Sequence, residues 1–293
     1  MLKKTQGERA FDVLNVFLIF IATLAFLIPF WIVLATSFLS PEEAARRGVF
    51  TLFPQNFYLH SYEVLLSSGS IIYTAYANTL IRIVVGTFLN LCFTIPLAYG
   101  LSKKSLPGRT AITGFVFFTM LFSGGLIPGY LLVKGIGIYN TLWALILPGL
   151  VSTWNMLLMR NFFTQIPDSL EESAMIDGAS VTSVILKIIL PLSLPSIATI
   201  ALFYAVGHWN SWFDAAMFLS NAKLYPVQII LRNVVVQLSS QNLNALIMSD
   251  SNPPPAQTMK CAVIIVTTVP ILFIYPFVQR YFIKGMLVGS VKG

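Results

Sequence analysis

The sequence predicts an all-α membrane protein that crosses the bilayer six times. Of its 293 residues, 56% are apolar and only 10% are charged, whereas a soluble domain carries about 25% charged residues. Six stretches that lack any charged residue are 19 to 29 residues long, and one helical crossing needs about 20 apolar residues. These runs are continuous, which favours helices over the alternating segments of a membrane β-barrel.

The crossings follow from these runs in chain order. The first run comes after a basic start, but it is twice as long as the apolar part of a signal peptide, so we interpret it as a retained helix. The second run is extended back to near Ile71, which puts Arg82 inside a crossing. Gly124 and Gly125, in the third run, are interpreted as positions of close helix packing. The six predicted crossings lie at about 13–39, 71–102, 110–133, 141–159, 192–220 and 261–283.

The distribution of Lys and Arg predicts the orientation. An even number of crossings puts both termini on one side, and that side holds eleven of the 18 Lys and Arg in shorter total length. Positive residues concentrate in cytoplasmic loops, so both termini are predicted to be cytoplasmic. The cytoplasmic parts are then a tail at 1–12, an inner loop at 160–190 and a C-terminal tail at 285–293, while 40–70 and 221–260 form long outer loops.

Several other classes of protein are excluded by composition and by missing motifs. The 23 Phe and 11 Tyr exclude a disordered chain, two Cys exclude a disulfide scaffold, and scattered basic residues argue against nucleic-acid binding. The sequence has neither a phosphate-binding loop motif nor a protease or metal-site motif. We therefore expect no catalytic residue, no metal and no cofactor on this chain.

The inner loop is unusually acidic and has helix signals. Ser169 and Glu172 have the spacing of a capping box, and Gly178 is a typical helix stop. A second short helix is predicted from Val181 to just before Pro191. A helix lying on the membrane surface is normally basic on its polar face, so this acidic pair of helices suits docking to a protein instead.

These residues resemble the EAA loop of ABC importer permeases. Glu172, Ser173 and Ala174 take the place of the Glu-Ala-Ala triplet, with Ser173 in place of the first Ala, and Asp177-Gly178 matches the Asp-Gly that follows. The resemblance implies a type I ABC importer permease fold in which the loop docks on a cytoplasmic ATPase subunit. The implied coupling residues are Glu171, Glu172, Ser173, Ala174, Asp177, Gly178 and Ala179.

Two further segments narrow the resemblance to carbohydrate importer permeases, the class that includes the maltose permease MalG. The stretch 208–214 is similar to the Trp-Asn segment of that class, and 285–293 is similar to its Gly-Ala-Val-Lys-Gly ending, with Ser290 in place of Ala. The stretch 225–232 is similar to a subgroup that imports alginate and pectin-type saccharides.

That resemblance implies a set of partners. They are a second, non-identical permease, two ATPases that bind ATP and Mg, an extracytoplasmic solute-binding protein, the saccharide and membrane lipid. The place of action is the bacterial cytoplasmic membrane.

Polar residues inside the crossings are candidates for the substrate path, because polar groups in lipid normally face the bundle or a wet route. Arg82 has three interpretations: snorkelling, which we favour, pairing with Asp214, or contact with an anionic sugar. Trp209 and Trp212 suit either stacking on sugar rings or an interfacial aromatic belt. The candidate residues are Arg82, His208, Trp209, Asn210, Trp212 and Asp214.

Two other functions stay open at this point. One is an ABC permease for peptides or amino acids, and the other is a secondary transporter that works without ATP. A secondary transporter usually shows two similar halves, and none is visible in this sequence.

Overall fold

The architecture was described from a computed structural model. The structure describes residues 5–48, 51–67, 69–236 and 254–290, without the side chains of 277, 278 and 280–290. Parts of four predicted segments therefore lie outside the described residues. These are the N-terminal tail at 1–12, the outer loops at 40–70 and 221–260, and the C-terminal tail at 285–293 with its resemblance to carbohydrate importer permeases.

The described residues form helices and connecting segments, without a strand. Short 3-10 segments at Leu142–Leu145, Leu147–Gly149 and Ala222–Leu224 and a π-turn at Ile185–Ile189 accompany the helices. The helices are α1 (Gln6–Thr36), α2 (Pro41–Arg47), α3 (His60–Leu65), α4 (Ile71–Ser102), α5 (Arg109–Leu121), α6 (Leu126–Gly135), α7 (Thr153–Phe163), α8 (Asp168–Ile176), α9 (Val181–Val184), α10 (Leu190–Leu192), α11 (Leu194–Asn210), α12 (Phe213–Phe218), α13 (Val227–Val236) and α14 (Ala256–Ser290).

Helices long and apolar enough to cross a membrane are present. Within the described ranges, three single helices qualify: α1, α4 and the 256–276 part of α14. Counting each bent helix pair as one crossing raises the number to six. All-helical architecture is thus confirmed, and α4 has the predicted bounds of 71–102.

Several predicted crossings are broken instead of continuous. The predicted span 110–133 is α5 and α6, which meet at 111°. Gly125 has a φ of 92° there, a left-handed value that favours glycine. The close-packing interpretation of the Gly124-Gly125 pair is therefore wrong, because these residues turn the chain. The span 192–220 is likewise divided, because α11 bends by 79° from the Val181–Leu192 segment before it and ends before α12 begins at Phe213.

The chain divides into two compact units. The first comprises Met1–Ser70 and Asn233–Val269. Its α1 is exposed along most of its length, and the following loop folds back on the end of this helix. Trp31 donates to the carbonyl of Leu52 at 2.8 Å, and the hydroxyls of Ser37 and Tyr62 are 2.6 Å apart.

The second unit comprises Ile71–Arg232 and Pro270–Gly293. Its main core forms where α4 packs lengthwise against α7 and α11. The π-turn packs into the same core. The buried residues of this core are Ala98, Leu101, Met156, Met159, Phe163, Val184, Ile189, Ile200 and Tyr204.

Candidate functional site

The coupling segment, residues 168–180, is a helix that ends in a left-handed glycine. Gly178 has a φ of 82°. The N–H of Gly178 donates to Met175 at 3.0 Å and that of Ala179 to Ala174 at 2.9 Å, which is the Schellman arrangement. The helix stop predicted at Gly178 is confirmed, because a residue without a Cβ adopts this conformation at low cost.

Two details of the predicted segment are wrong. The helix begins at Asp168, with Pro167 at the N-cap and no side-chain cap bond, so the capping box at Ser169 does not form. Beyond Ser180, the helix does not stop before Pro191 but continues to Leu192. The π-turn at Ile185–Ile189 explains this, since its wider turn relieves the clash between a proline ring and the preceding carbonyls.

One face of the coupling segment is fixed to the main core of the second unit, to which the segment itself belongs. Glu171 is 7% exposed, accepts a hydrogen bond from the Tyr99 hydroxyl at 3.0 Å and forms an ion pair with Lys103. Ala174 and Ala179 pack against the main core. These three predicted coupling residues therefore anchor the segment and do not present themselves outward.

The opposite face is exposed. Glu172, Ser173 and Asp177 are accessible there, and Ile176 beside them is 86% exposed. We call these four residues the outer face. A large apolar side chain so exposed, beside two acids and on a rigidly held helix, has the composition of a protein-docking surface. Sequence reasoning identified the acids Glu172 and Asp177 but missed Ile176. Its position directly before Asp177 in the acidic segment could have indicated an exposed apolar residue.

Arg82 lies deep in the second unit and pairs with Asp214. Its side chain is 3% exposed and forms an ion pair with that carboxylate. The guanidinium also donates to the carbonyls of Leu145 at 3.2 Å and Ser211 at 3.3 Å. Snorkelling is therefore wrong, because the predicted alternative partner lies within reach, and the charge of Arg82 is already neutralised.

His208 is held beside this pair by a close helix crossing. Its Nε2 lies 2.8 Å from Oδ1 of Asn90, and the Asn90 amide donates to Gly149 and Leu150, both at 2.9 Å. A Cβ at Gly86 would lie 2.5 Å from the same Nε2. Glycine at that position thus allows α4 to approach the histidine ring.

A polar cavity of about 490 Å³ opens beside these groups. Three predicted path residues, Arg82, His208 and Asp214, line it together. Sequence reasoning missed a further lining residue, Asn155, which lies in an apolar stretch without any motif, and Tyr204 of α11 also lines the cavity. The Tyr204 hydroxyl accepts from the N–H of Ser152 at 3.0 Å and lies 2.7 Å from the Thr94 hydroxyl.

The other predicted path residues point elsewhere. Trp209, only 4% exposed, and Asn210 line a second, largely apolar cavity of about 530 Å³. Burial of Trp209 argues against an interfacial belt for this residue. Trp212 stacks under the guanidinium of Arg232, 5.1 Å from the ring centre. The Trp-Asn segment therefore serves two different cavities, because neighbouring helix positions face different directions.

No group of three or more His, Cys, Asp or Glu side chains with metal-binding proximity occurs among the residues that the structure describes.

Comparison with known proteins shows the family to which the chain belongs. The family described as "Binding-protein-dependent transport system inner membrane component" matches residues 66–288. The polygalacturonan/rhamnogalacturonan transport system permease protein YtcP of Bacillus subtilis is 44% identical over 286 residues, which is 98% of this chain and 99% of the relative. The trehalose/maltose transport system permease protein MalG of Thermococcus litoralis is 29% identical over 242 residues, 80% of this chain and 81% of the relative.

A solved structure agrees with this result. A chain of a bacterial ABC transporter involved in the import of the acidic polysaccharide alginate is 31% identical. It superposes with a TM-score of 0.86 over 96% of this chain and 100% of that chain. The resemblance to importer permeases is confirmed, and the chain belongs to the family of binding-protein-dependent transport system inner membrane components.

Proposed function

We propose that the chain is a permease subunit of an ATP-driven ABC importer for an acidic oligo- or polysaccharide. The observation that carries the proposal is the 44% identity, over 98% of the chain, to a permease named for polygalacturonan and rhamnogalacturonan transport. Polygalacturonan is a chain of uronates, as alginate is, so both relatives named above for acidic polymers point to the same class of substrate.

The proposed topology has six crossings and two cytoplasmic termini. The crossings are α1, α4, α5 with α6, the 142–163 segment, α11 with α12, and α14. In this arrangement, the coupling segment lies in the cytoplasm. The six spans cross the bacterial cytoplasmic membrane. A cysteine at Ser173 should then react with a thiol reagent only in opened cells, while a cysteine at Lys223 should react in intact cells. The reverse labelling pattern would invert the topology.

The proposed complex contains four further protein subunits. A second, non-identical permease completes the pathway, and two ATPases supply the energy from ATP and Mg that they bind themselves. An extracytoplasmic binding protein delivers the saccharide to the outer loops at 40–70 and 221–260. The outer face of the coupling segment is the proposed contact with one ATPase.

The mechanism follows from how the coupling segment is held. Its anchors, Glu171, Ala174 and Ala179, fix it to the core that contains Tyr204, and Tyr204 lines the polar cavity. Protein interiors are closely packed and transmit displacement instead of absorbing it. Movement of an ATPase against the outer face would therefore displace the core around the cavity, as alternating access requires.

The polar cavity suits hydroxyl-rich ligands better than a bare anion. The ion pair of Arg82 and Asp214 has no net charge, whereas Asn155, Tyr204 and His208 offer groups that bond hydroxyls. We propose that selection for acidic sugars is made outside this cavity, since no uncompensated cation among its described lining residues faces it.

Reconstituted uptake tests the proposal. The assembled importer in proteoliposomes should take up oligogalacturonate delivered by its binding protein only when ATP is enclosed with the ATPases. The matched control is a complex with an ATPase that cannot hydrolyse ATP. Uptake without ATP would favour a secondary transporter, and uptake of peptides or amino acids instead of saccharide would favour the other alternative.

A further inference from the structure

A groove with two arginines opens between α5 and α7. Its cavity measures about 500 Å³. One face of α5 lines it through Thr110, Thr113, Gly114 and Phe117, which follow the helical spacing of three and four residues. Leu157 and Arg160 from α7 and Arg109 at the start of α5 complete the lining.

The two arginines lie at one end of the groove, with Arg109 at the start of α5 and Arg160 near the end of α7. At the other end, the hydroxyls of Thr119 and Thr153 are 3.3 Å apart, and Thr153 also bonds the carbonyl of Val116 at 3.4 Å. These contacts hold the antiparallel helices together there. The end with the arginines lies at the start of α5 and the end of α7, where the proposed topology puts the cytoplasmic face.

Both guanidinium groups converge on one backbone oxygen. Nε of Arg109 donates to the carbonyl of Leu101 at 2.9 Å, and Nε of Arg160 donates to the same oxygen at 3.0 Å. In the part of the chain that the structure describes, neither arginine forms an ion pair, while the nearby Glu171 and Asp168 pair with Lys103. Two like charges thus share one acceptor, and their terminal nitrogens remain available as donors.

Two independent features add to this attraction for an anion. Helix α5 has 13 residues and begins after Gly108 without a side-chain cap, so its positive end and free N–H groups face the same region. The Thr113 hydroxyl is buried and has no hydrogen-bond partner within the described residues. A buried hydroxyl without a partner is unfavourable, and an anionic oxygen in the groove would satisfy it.

We propose that this groove binds the phosphate headgroup of an anionic phospholipid from the cytoplasmic leaflet. Paired arginines and a helix N-terminus recognise phosphate oxygens. The apolar part of the groove and the neighbouring face of α5 select a lipid over free phosphate, because Phe117 lines the cavity and Phe118 and Leu121 are 51% and 64% exposed. Basic pockets between membrane helices on the cytoplasmic side bind such headgroups in other proteins. The inference uses the proposed function only to say which leaflet supplies the lipid.

Lipid retention by the intact importer tests the inference. The complex is placed in nanodiscs of equal parts phosphatidylglycerol and phosphatidylcholine, and native mass spectrometry counts the lipids that it keeps. Wild type should retain phosphatidylglycerol selectively, and Arg109→Gln with Arg160→Gln should lower that selectivity about tenfold, which corresponds to about 1.4 kcal/mol. The control is Lys104→Gln, which removes one positive charge from an exposed neighbouring position outside the groove.

Several other outcomes of the lipid-retention experiment would contradict the inference. Equal retention of both lipids by wild type, or an equal loss in the Lys104→Gln control, would overturn the inference. Displacement of the lipid by inorganic phosphate alone would show that the groove is a site for soluble phosphate, and lipid bound to the isolated chain but not to the full complex would show that a partner protein fills the groove.

A second variant covers the case in which the double variant does not assemble. Thr113→Val keeps the side-chain shape and removes only the hydroxyl. It should lower phosphatidylglycerol retention while leaving assembly intact, and unchanged retention would overturn the inference. Retention is measured without transport, so a complex that holds the lipid but imports no saccharide would refute the proposed function alone.

Discussion

Removing either member of the Arg82–Asp214 pair should destabilise the protein, but by different amounts. In Asp214→Asn, the arginine keeps its charge at a position that is 3% exposed and has only uncharged acceptors, the carbonyls of Leu145 and Ser211 and the amide oxygen of the new side chain. Breaking a buried pair in this way costs about 3–5 kcal/mol, because an uncompensated charge stays buried.

The reciprocal variant, Arg82→Gln, leaves the Asp214 carboxylate, which keeps other hydrogen bonds. Asp214 is 24% exposed and still accepts from the Ser211 hydroxyl and the Ala215 N–H, both at 2.8 Å. The cost of Arg82→Gln should therefore be close to that of lost hydrogen bonds to a charged group, about 1.5–3 kcal/mol. We expect Asp214→Asn to be the more damaging change.

The double variant measures the interaction itself. With both charges removed, the loss should be smaller than the sum of the two single losses, since neither group is left alone. The assay is the half-life of the assembled complex in detergent at raised temperature, followed by size-exclusion chromatography, because such unfolding is usually irreversible. Arg46→Gln, the same substitution at an exposed arginine outside the spans, is the control.

Two results would refute this reasoning. One is an Arg82→Gln variant that is as unstable as Asp214→Asn, because the burial difference would then have no effect. The other is strict additivity in the double variant, which would mean that the two charges do not stabilise each other.

Three further substitutions test the coupling segment and the cavities. Glu172→Lys should lower ATPase recruitment in pull-down assays by about 2–5 kcal/mol, the cost of breaking a hydrogen-bonded charge pair that binding buries. Glu63→Lys, which the proposed topology puts in an outer loop, should have no effect, and equal binding by both variants would remove Glu172 from the interface. Gly86→Ala should slow uptake and cost about 1–3 kcal/mol of stability, because the added Cβ meets the histidine ring of α11, whereas Gly100→Ala on the same helix meets nothing within 4 Å and should behave as wild type. Trp209→Ala should impair uptake but keep basal ATP hydrolysis, and normal uptake would exclude the apolar cavity from the path.

Local features of the structure could be predicted from the sequence because they depend on neighbouring residues. The left-handed turn at Gly178 needs only a glycine after an amphipathic run. The bounds of α4 follow from an apolar stretch followed by Lys103 and Lys104.

Features that depend on distant residues could not be predicted. Arg82 and Asp214 are 132 positions apart, so the sequence could offer their pairing only as one of three alternatives, because composition does not indicate which polar groups meet across helices. The inward direction of Glu171 depends on Tyr99 and Lys103, so adjacent glutamates with the same charge have opposite roles. The break at Gly125 depends on a backbone conformation that an apolar stretch neither requires nor forbids.

The positions of Glu171 and Glu172 show how one short helix can be both firmly held and able to dock. A helix of nine residues is marginal on its own, so its order must come from tertiary contacts. Glu171, Ala174 and Ala179 supply those contacts on one side, which leaves Glu172 and Ile176 free on the other without loss of rigidity. A flexible loop with the same outer residues would lose entropy on docking and would bend when pushed. Because this helix is already ordered, energy from an ATPase docked as proposed would be available to move the core that contains Tyr204, whose hydroxyl contacts Thr94 of α4 and which lines the cavity.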